Sequence, residues 1–246
     1  MIFFRFLRSR RGVMLTEQER AALDSAVAKI QSVEPRTTII REGEKTNEST
    51  FLIDGFMSRY IDDRKGLRQL VAIHVPGEFV DLHAYPMQSL DHSIETLTPA
   101  KIAFVPHKAL DSIVEDQPDL ARKFWFSTLI DASLHRAWLF RLGRLDAVGR
   151  VAHFLSEMNA RLEAVGLSDG RRFTLDLTQG DLAEACGLTT VHTNRVMRQL
   201  REAELCVFRA SVVEIIDRAG LERRGDFDGQ YLYLAPSGET HHGAST

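Results

Sequence analysis

The residues from 189 to 202 combine basic, hydroxyl and amide side chains at a spacing that suits nucleic-acid recognition. Arg195, Arg198 and Arg201 recur every three residues, and no acidic residue precedes Glu202 in this segment. A guanidinium can pair with a phosphate or with both acceptors of a guanine edge, and small polar side chains reach other base edges. We predict that this segment binds double-stranded DNA; the alternative is an ordinary helical hairpin with a solvated basic face.

Two predicted helices would position these groups. Thr178 can cap the first helix, and Asp181 follows three residues later, which is the spacing of a capping box. Gly187 supplies the turn, because glycine adopts the left-handed conformation at a helix end without steric cost. Thr189 can cap the second helix. The candidate DNA contacts lie at the start or on the outer side of this second helix, or at the tip of the hairpin that follows; they are Thr189, Thr190, Val191, His192, Asn194, Arg195, Arg198 and Arg209.

Short strands are predicted on both sides of the helices. Residues 172–177 alternate before them, and residues 205–208 and 212–216 follow as a hairpin whose tip carries Arg209. A strand, two helices and a β-hairpin together make a winged helix. Arg209 would then reach a phosphate from the wing.

Composition restricts the function further. A formal net charge of -3 gives no overall basic field, so DNA binding would depend on the local cluster of arginines. Cys186 and Cys206, the two cysteines, argue against a disulfide framework and fit a reducing cytoplasm. No apolar run reaches the ~20 residues of a membrane span. No phosphate-binding loop, metal-ligand spacing or nucleophile motif is present, so we expect a cytoplasmic protein with no catalytic or metal-binding residues and not an enzyme.

The residue pattern in the first half of the chain is typical of a small β-sheet domain. A helix is predicted over residues 15–30, and short apolar or alternating runs then follow between residues 37 and 105. A long helix is predicted to begin at Pro118 and to end at Gly143. Its apolar residues cover more than one face, which indicates a dimerisation helix or, alternatively, a helix buried between two domains of one chain.

Four segments resemble the Crp/Fnr family of bacterial transcription regulators. They are REGE at residues 41–44, FLIDGF at 51–56, PGEFVDL at 76–82 and, most specifically, LTQGDLAEACGLTTVHTNR at 177–195. The resemblance covers most of residues 15–232. It implies an α+β fold with an N-terminal antiparallel β-roll of the cyclic-nucleotide-binding type, a long dimerisation helix and a C-terminal winged helix-turn-helix.

The predicted boundaries follow from that order of elements. We expect a flexible extension of little functional weight at residues 1–14, a sensor domain at 15–115 and a dimerisation helix at 116–145. The winged helix would occupy residues 146–232, and a disordered tail residues 233–246. The family also implies a homodimer on a palindromic operator, with base contacts at Thr190, Val191 and Arg195, and contact with RNA polymerase if the protein is an activator.

A candidate effector pocket is carried over from the same resemblance; its residues are Gly77, Glu78, Leu82, His83, His92 and Ser93. Members that bind cyclic AMP hold the ribose with a glutamate and the phosphate with an arginine. Relative to the PGE turn, Leu82 stands at the glutamate position and His92 at the arginine position. Leucine accepts no hydrogen bond, and histidine lacks the guanidinium fork. We predict that cyclic AMP binds weakly or not at all.

The sequence gives little support for sensing through an iron–sulfur cluster or a haem group. The iron–sulfur branch of the family requires several N-terminal cysteines, which are absent, and no histidine spacing singles out a haem ligand pair. We therefore expect no cofactor, and either an unidentified small-molecule effector or constitutive competence. A signalling module that acts through protein contacts without reading DNA is the alternative function.

Overall fold

A computed structural model describes residues 1–235 of the chain. After a helix α1 (Glu17–Ala26), the first domain is built from strands, which are β1 (Lys29–Val33), β2 (Thr38–Ile40), β3 (Glu48–Asp54), β4 (Met57–Asp62), β5 (Arg68–His74), β6 (Ser93–Thr96) and β7 (Ala100–Pro106). A short helix α2 (Ala84–Met87) lies between β5 and β6, and α3 (His107–Asp116) follows β7.

The strands form two antiparallel sheets that enclose the core of the domain. One sheet has the order β1-β7-β3 and the other the order β2-β6-β4-β5. Alternation along the strands directs apolar side chains between the sheets, where Leu52, Ile94 and Ile102 are fully buried. This is the antiparallel roll that the sequence predicted.

Two long helices follow. Helix α4 (Pro118–Arg144) starts with proline at its first turn, where the missing N–H group costs nothing. Helix α5 (Ala147–Ala164) is capped by Asp146, whose carboxylate accepts a hydrogen bond from the Gly149 N–H at 2.8 Å. Almost every side chain from residue 149 to 162 of α5 is buried, so α5 is the central helix of the second domain.

The second domain is a winged helix. Its remaining elements are β8 (Arg172–Thr174), α6 (Gln179–Cys186), α7 (Thr190–Glu202), β9 (Cys206–Arg209), β10 (Val212–Ile215) and α8 (Arg218–Arg224). The three strands form a sheet in the order β8-β10-β9. At the wing tip, Ala210 and Ser211 have φ of 48° and 62°, which is the positive-φ pair of a two-residue hairpin turn.

Several helices and strands differ from the prediction. The helix predicted over residues 15–30 ends at Ala26, and the end of that range belongs to β1. Strand β1 pairs with β7 alone and is largely exposed, so its sequence lacks the apolar alternation of a half-buried strand. Helices α2, α3 and α8 were also not predicted. Among residues 1–235 no helix has the length and hydropathy needed to cross a membrane.

The N-terminal extension is not a flexible arm. Phe3, Phe6 and Leu7 are buried in the first domain, and the backbone at Phe3–Arg5 forms one turn of 3-10 helix. The sequence shows a short apolar patch but not the groove that receives it, whose lining includes residues as distant as Phe51, Phe79 and Phe124. Part of the predicted disordered tail is ordered as well, because Leu234 pairs with Arg10 in an antiparallel bridge. The rest of that tail, residues 236–246, lies outside the described residues.

The two domains share one hydrophobic core. Tyr60, Leu70 and Ile73 of the sheet domain belong to the same buried cluster as Phe154 and Leu182 of the winged helix. Burial of apolar area contributes about 25 cal/mol per Å², so a shared core favours one relative placement of the domains.

Candidate DNA-reading surface and sensor pocket

The helix-turn-helix is fixed by its caps. The Thr178 hydroxyl accepts from the Asp181 N–H at 3.1 Å, and the Asp181 carboxylate accepts from the Thr178 N–H at 2.8 Å. Gly187 adopts φ 61°, and the Leu188 N–H then donates to the Ala183 carbonyl at 2.9 Å. Both features agree with the spacing in the sequence, and they set the start of the next helix.

Helix α7 presents a polar face to solvent. Thr193, Val196 and Leu200 are buried against the domain core. The outward positions are exposed: Thr190, Val191, Asn194, Arg195 and Arg198. The Thr189 hydroxyl accepts from the His192 N–H at 3.2 Å, so this residue has a structural role as the cap of α7.

The exposed face of α7 has the chemistry of a DNA reader. Arg195 is exposed, and its fork can donate to O6 and N7 of guanine. Arg198 has a loose pair with Glu202 at 3.8 Å, and both side chains are mostly exposed, so a phosphate can compete for it. Val191 is 81% exposed and offers no polar atom, which suits a thymine methyl group. These contacts remain predictions about this face.

The wing is braced at its tip. The Ser211 hydroxyl donates to the Asp176 carboxylate at 2.7 Å, which ties the hairpin tip to the segment before α6. Arg209 is exposed at the end of β9. Its side chain is therefore free to reach a phosphate beside the groove that α7 would enter.

The residues of the candidate effector pocket do not converge on one cavity. Glu78 accepts from the Arg161 guanidinium at 2.7 and 3.0 Å and lies 3.2 Å from the His74 ring. Burial alone would raise the pKa of Glu78, but Arg161 and His74 outweigh it and lower the pKa to about 2. This carboxylate is thus committed to an internal ion pair with the second domain.

The other candidate pocket residues also have partners within the chain. Leu82 is buried in the apolar cluster of the first domain, as expected of a residue that cannot bind a ribose. The rings of His83 and His92 lie 5.3 Å apart, and His92 pairs with Asp91 at 2.8 Å. The Ser93 hydroxyl accepts from the Glu42 N–H at 3.0 Å.

Arg59, which the sequence analysis did not single out, fills the space between the roll and α4. It is 2% exposed, donates to the Val80 carbonyl at 2.7 Å and pairs with Asp131 of α4 at 2.6 Å. Burial opposes ionisation of Asp131, but the nearby charge of Arg59 holds the pKa of this carboxyl well below its usual range. The sequence does show Arg59 and Asp131 as charged residues within two apolar segments, which indicates that each has a buried partner. It does not show that they pair with each other.

The cavity that remains beside these groups is small. It has a volume of about 40 Å³ and lies among Phe6, Arg10, Gly77, Glu78 and Asp131. A single water needs roughly 10–15 Å³ of such space, whereas ligand pockets measure roughly 300–1,000 Å³. The closed pocket therefore has room for a few waters and not for a nucleotide.

Ion pairs join the roll directly to the reader helices. Arg36 donates to both carboxylate oxygens of Asp181 at 2.6 Å, and Arg68 donates to Glu184 at 2.7 Å. Burial would raise the pKa of Asp181, but the hydrogen bonds from Arg36 and Thr178 prevail and lower it. The carboxylate that completes the capping box of α6 is thus also held by the β-roll, a link that the sequence did not indicate.

A buried polar chain continues into the second domain. Arg161 also pairs with Glu157 at 3.2 Å, and Glu157 accepts from Trp138 at 3.0 Å and from Tyr231 at 2.8 Å. His153 lies 3.0 Å from the Tyr231 hydroxyl and lines an open cleft of about 730 Å³ between α4 and α8. This cleft was not predicted.

The cysteines and metal-binding groups give no further chemistry. Cys186 and Cys206 are free and buried, and burial raises their pKa values to about 11 and about 12. Neither is a reactive thiolate at neutral pH. Within residues 1–235 no group of three or more His, Cys, Asp or Glu side chains could hold a metal ion.

Comparison with known proteins gives the same two domains. The model of the cyclic nucleotide-binding domain matches residues 30–117, and the model of the Crp-like helix-turn-helix domain matches residues 149–224. The chain is 23% identical over 207 residues to an anaerobic regulatory protein of Haemophilus influenzae, covering 84% of this chain and 80% of that protein. It is 22% identical over 203 residues to the transcriptional activator protein Anr of Pseudomonas aeruginosa, covering 82% of this chain and 83% of that protein.

Solved structures agree. FixK2 from Bradyrhizobium japonicum superposes with a TM-score of 0.73 and 25% identity, over 80% of this chain and 96% of that chain. A transcriptional regulator of the CRP/FNR family from Thermus thermophilus superposes with a TM-score of 0.63 and 17% identity, over 80% of this chain and 98% of that one, which shows the fold. The predicted α+β fold of roll, long helix and winged helix is thereby confirmed. The chain has the cyclic nucleotide-binding domain followed by the Crp-like helix-turn-helix domain, as the matched regulators do. It belongs to the Crp/Fnr family and is a DNA-binding transcription regulator, not an enzyme.

Proposed function

We propose that the protein binds a palindromic operator as a homodimer, inserts α7 into the major groove of each half-site, and does so without cyclic AMP. The observation that carries the proposal is the exposed polar face of α7, with Arg195 free to read guanine. DNA as partner, together with two unpaired cysteines, supports a cytoplasmic site of action.

Helix α4 supports the dimer. Residues 125, 129, 132, 136 and 139 are exposed along one line of the helix, at alternating spacings of four and three. This is the spacing of the seam residues in a coiled coil. Three of the five side chains are apolar and exposed: Trp125, at 68%, Leu129 and Leu139. A second copy of α4 would cover this line. A two-fold dimer would then place the two recognition helices about 34 Å apart, on successive major grooves.

The sensor pocket supports the exclusion of cyclic AMP. Leu82 is buried in the core, Glu78 is paired with Arg161, and the Arg59–Asp131 pair occupies the space beside α4. A cyclic phosphate would have to replace these partners. We propose that the protein is either constitutively competent or responds to a different small molecule. If it activates transcription, it also contacts RNA polymerase.

Selection of bound sequences from a random double-stranded pool tests the proposal. The purified protein at physiological salt is expected to enrich a palindrome without added ligand. Arg195→Ala should relax the preference at one position of each half-site, with the rest of the palindrome retained. Failure to enrich any sequence, with or without cell extract, would favour the alternative of a signalling module that acts through protein contacts.

Two further measurements test the dimer and the effector. Sedimentation of the wild type should give a dimer, and Leu129→Glu with Leu139→Glu should give a monomer, since four buried like charges would then meet at the seam. Arg144→Glu, exposed near the end of the same helix but off this line, is the matched control. Titration with cyclic AMP should show no binding at concentrations up to roughly 1 mM, so any Kd would be weaker than that value.

A further inference from the structure

We propose that residues 2–11, here called the N-terminal strap, are a resident ligand of the sensor domain, tethered to it by the chain itself. The strap fills the aromatic part of the sensor pocket and fastens the sensor domain to the winged helix. The same site would accept a separate amphipathic cation only when the strap leaves. This goes beyond DNA binding, and occupancy of the site can be measured without DNA.

The strap is bound through its aromatic side chains. Phe3 is fully buried, with its ring centroid 4.2 Å from that of Phe51 and 5.7 Å from that of Phe79. Phe6 lies edge-on to Phe79 at 5.3 Å and reaches Phe124 of α4 at 6.3 Å. Such pairs contribute beyond the burial of area. The strap therefore bridges the roll and the long helix α4.

Close backbone contact completes the fit. Gly77 has φ 100°, and a Cβ atom placed on it would lie 2.6 Å from the Arg5 Cβ. Glycine is required here both by the positive φ and by the approach of the strap. The Ile2 N–H also donates to the Asp24 carboxylate at 2.8 Å. With the strap in place, the cavity is reduced to about 40 Å³.

The strap also holds the end of α5. Arg5 and Arg8 each donate to the Val165 carbonyl at 3.2 Å, and Ser9 donates to the Ala164 carbonyl at 3.0 Å. The last carbonyls of a helix lack partners within the helix, and cations near them are favourable. A segment at the start of the chain thus caps the central helix of the DNA-binding domain, more than 150 residues away.

The strap pairs with the end of the described chain as well. The Arg11 N–H donates to the Tyr233 carbonyl at 2.8 Å, and the Ala235 N–H donates to the Ser9 carbonyl at 2.9 Å. Arg10 and Leu234 lie opposite each other between these two bonds, and the Arg10 guanidinium contacts the Leu232 carbonyl. Strap release would therefore free both the α5 end and residues 232–235.

The groups that the strap would leave behind define the ligand class. They are an aromatic wall of Phe51, Phe79 and Phe124 and the carbonyl acceptors of Ala164 and Val165. Apolar rings beside acceptors suit a molecule with an apolar body and a cationic donor, which is the chemistry of the strap itself. The strap is either bound in its site or released, and a ligand can shift this equilibrium only by binding one state better than the other. A molecule that competes with the strap would bind the released state better.

Hydrogen exchange on the full-length protein tests occupancy. In the wild type, the amides of Arg11 and Ala235 should be protected, because both bond across the strap. The double variant Phe3→Ser, Phe6→Ser should accelerate exchange at both amides by at least about tenfold. Phe4→Ser is the matched control, since Phe4 is 45% exposed on the same strap, and it should leave both rates unchanged. Unprotected wild-type amides would overturn the proposal.

A synthetic peptide of residues 1–13 is the ligand probe. It should bind the Phe3→Ser, Phe6→Ser protein saturably and compete poorly against the intact strap of the wild type. A peptide with the same two serines should not bind. Absence of peptide binding to a folded double variant would overturn the proposal that the site is a ligand site.

A cross-link keeps the test decisive if the double variant does not fold. Arg10 and Leu234 form a pair without mutual hydrogen bonds, whose Cα atoms lie about 4.5 Å apart in antiparallel strands, a separation that a disulfide can bridge. Oxidised Arg10→Cys, Leu234→Cys should slow exchange of the Ala235 amide by at least about tenfold and retain DNA binding. Failure of the two cysteines to join in the native protein would show that the strap is not where the inference requires it.

Discussion

The DNA-reading surface and the sensor pocket differ in how far apart in the chain their parts lie. The reader is one continuous stretch, from Thr178 to Glu202, in which caps, turn and contact side chains follow one another, and its outer face is exposed. The pocket is assembled from the strap, the roll, α4 and α5, and its polar groups are buried and paired with one another.

That difference explains what each region can do. Exposed side chains such as Arg195 have no internal partner to lose, so they can be exchanged for new specificity at little cost to folding. Buried groups such as Glu78 and Arg161 stabilise the placement of the two domains, so a ligand at this site competes with the fold itself. The reader should be tolerant of substitution, and the pocket should be intolerant.

Arg161→Ala should give the largest effect, because it leaves Glu78 and Glu157 buried without their cation. Loss of one partner of a buried pair costs about 3–5 kcal/mol of unfolding free energy. Arg218→Ala, in a partly exposed pair with Glu163, should cost less, about 1 kcal/mol or below. Denaturant titration of both variants measures the two losses of unfolding free energy. Equal losses would contradict the expected difference between the buried and the partly exposed pair.

Asp81→Asn should change the pH dependence of stability. Burial raises the pKa of Asp81 to about 7, while its Oδ1 atom accepts from the Thr50 N–H at 2.5 Å. The folded state therefore holds this proton longer than the unfolded state, whose pKa is near the usual 3.8. Stability from this group is full at low pH and is lost as the pH rises from about 4 to about 7.

Asparagine keeps the acceptor and removes the titration. Relative to Asp81→Asn, the wild type should lose about 4 kcal/mol of unfolding free energy between pH 4 and pH 8. His74, whose pKa burial lowers to about 4, titrates with the opposite sign and is common to both proteins, so the difference between them isolates Asp81. Parallel pH profiles would contradict the assignment.

Arg195→Ala should weaken binding to the selected operator by about 1–3 kcal/mol and relax one base position, with unfolding free energy changed by less than about 0.5 kcal/mol. Arg201→Ala is the control from the same helix, since any phosphate contact there would weaken all sequences alike. Binding is measured by titration against operators that vary at each position. A loss from Arg195→Ala that is equal on every sequence would show that Arg195 does not read a base.

The smallest effect is expected where the two regions meet. Arg36→Ala and Asp181→Asn should each lower the unfolding free energy, and a double-mutant cycle should give a coupling of about 1 kcal/mol, because Arg36 is partly exposed. The cycle subtracts the loss of the α6 cap that Asp181→Asn also causes. A coupling of zero would show that the sensor domain does not hold the reader through this pair.

Much of the fold could be predicted because its signals are local. The long helix that begins at Pro118, the hairpin of residues 205–208 and 212–216 and the capping box at Thr178 depend on neighbouring residues, and each is found where the sequence indicates. Strand β1 was missed because an exposed edge strand buries too little to show an alternating pattern. Exposure of the outer face of α7 also followed from helical spacing.

The pocket could be predicted only in part. Substitution of Leu82 for an acidic residue is visible in the sequence, and its burial agrees with that reading. The Arg59–Asp131 pair spans 72 positions, and the strap contacts Val165 across 160 positions. Charged residues inside apolar segments indicate that some partner exists, but not which one.

The sequence by itself determined the order of elements, the caps and turn of the reader, and which side chains face outward on α7. These depend on backbone preferences and on the period of a helix, which act over a few residues. Only the tertiary structure decided that Phe3 and Phe6 close the sensor pocket, that Arg161 joins the two domains, and that Asp181 is held by Arg36. Burial creates those partnerships, because a charge or an aromatic ring removed from water is stable only beside a group that compensates it, and the fold chooses that group from distant parts of the chain.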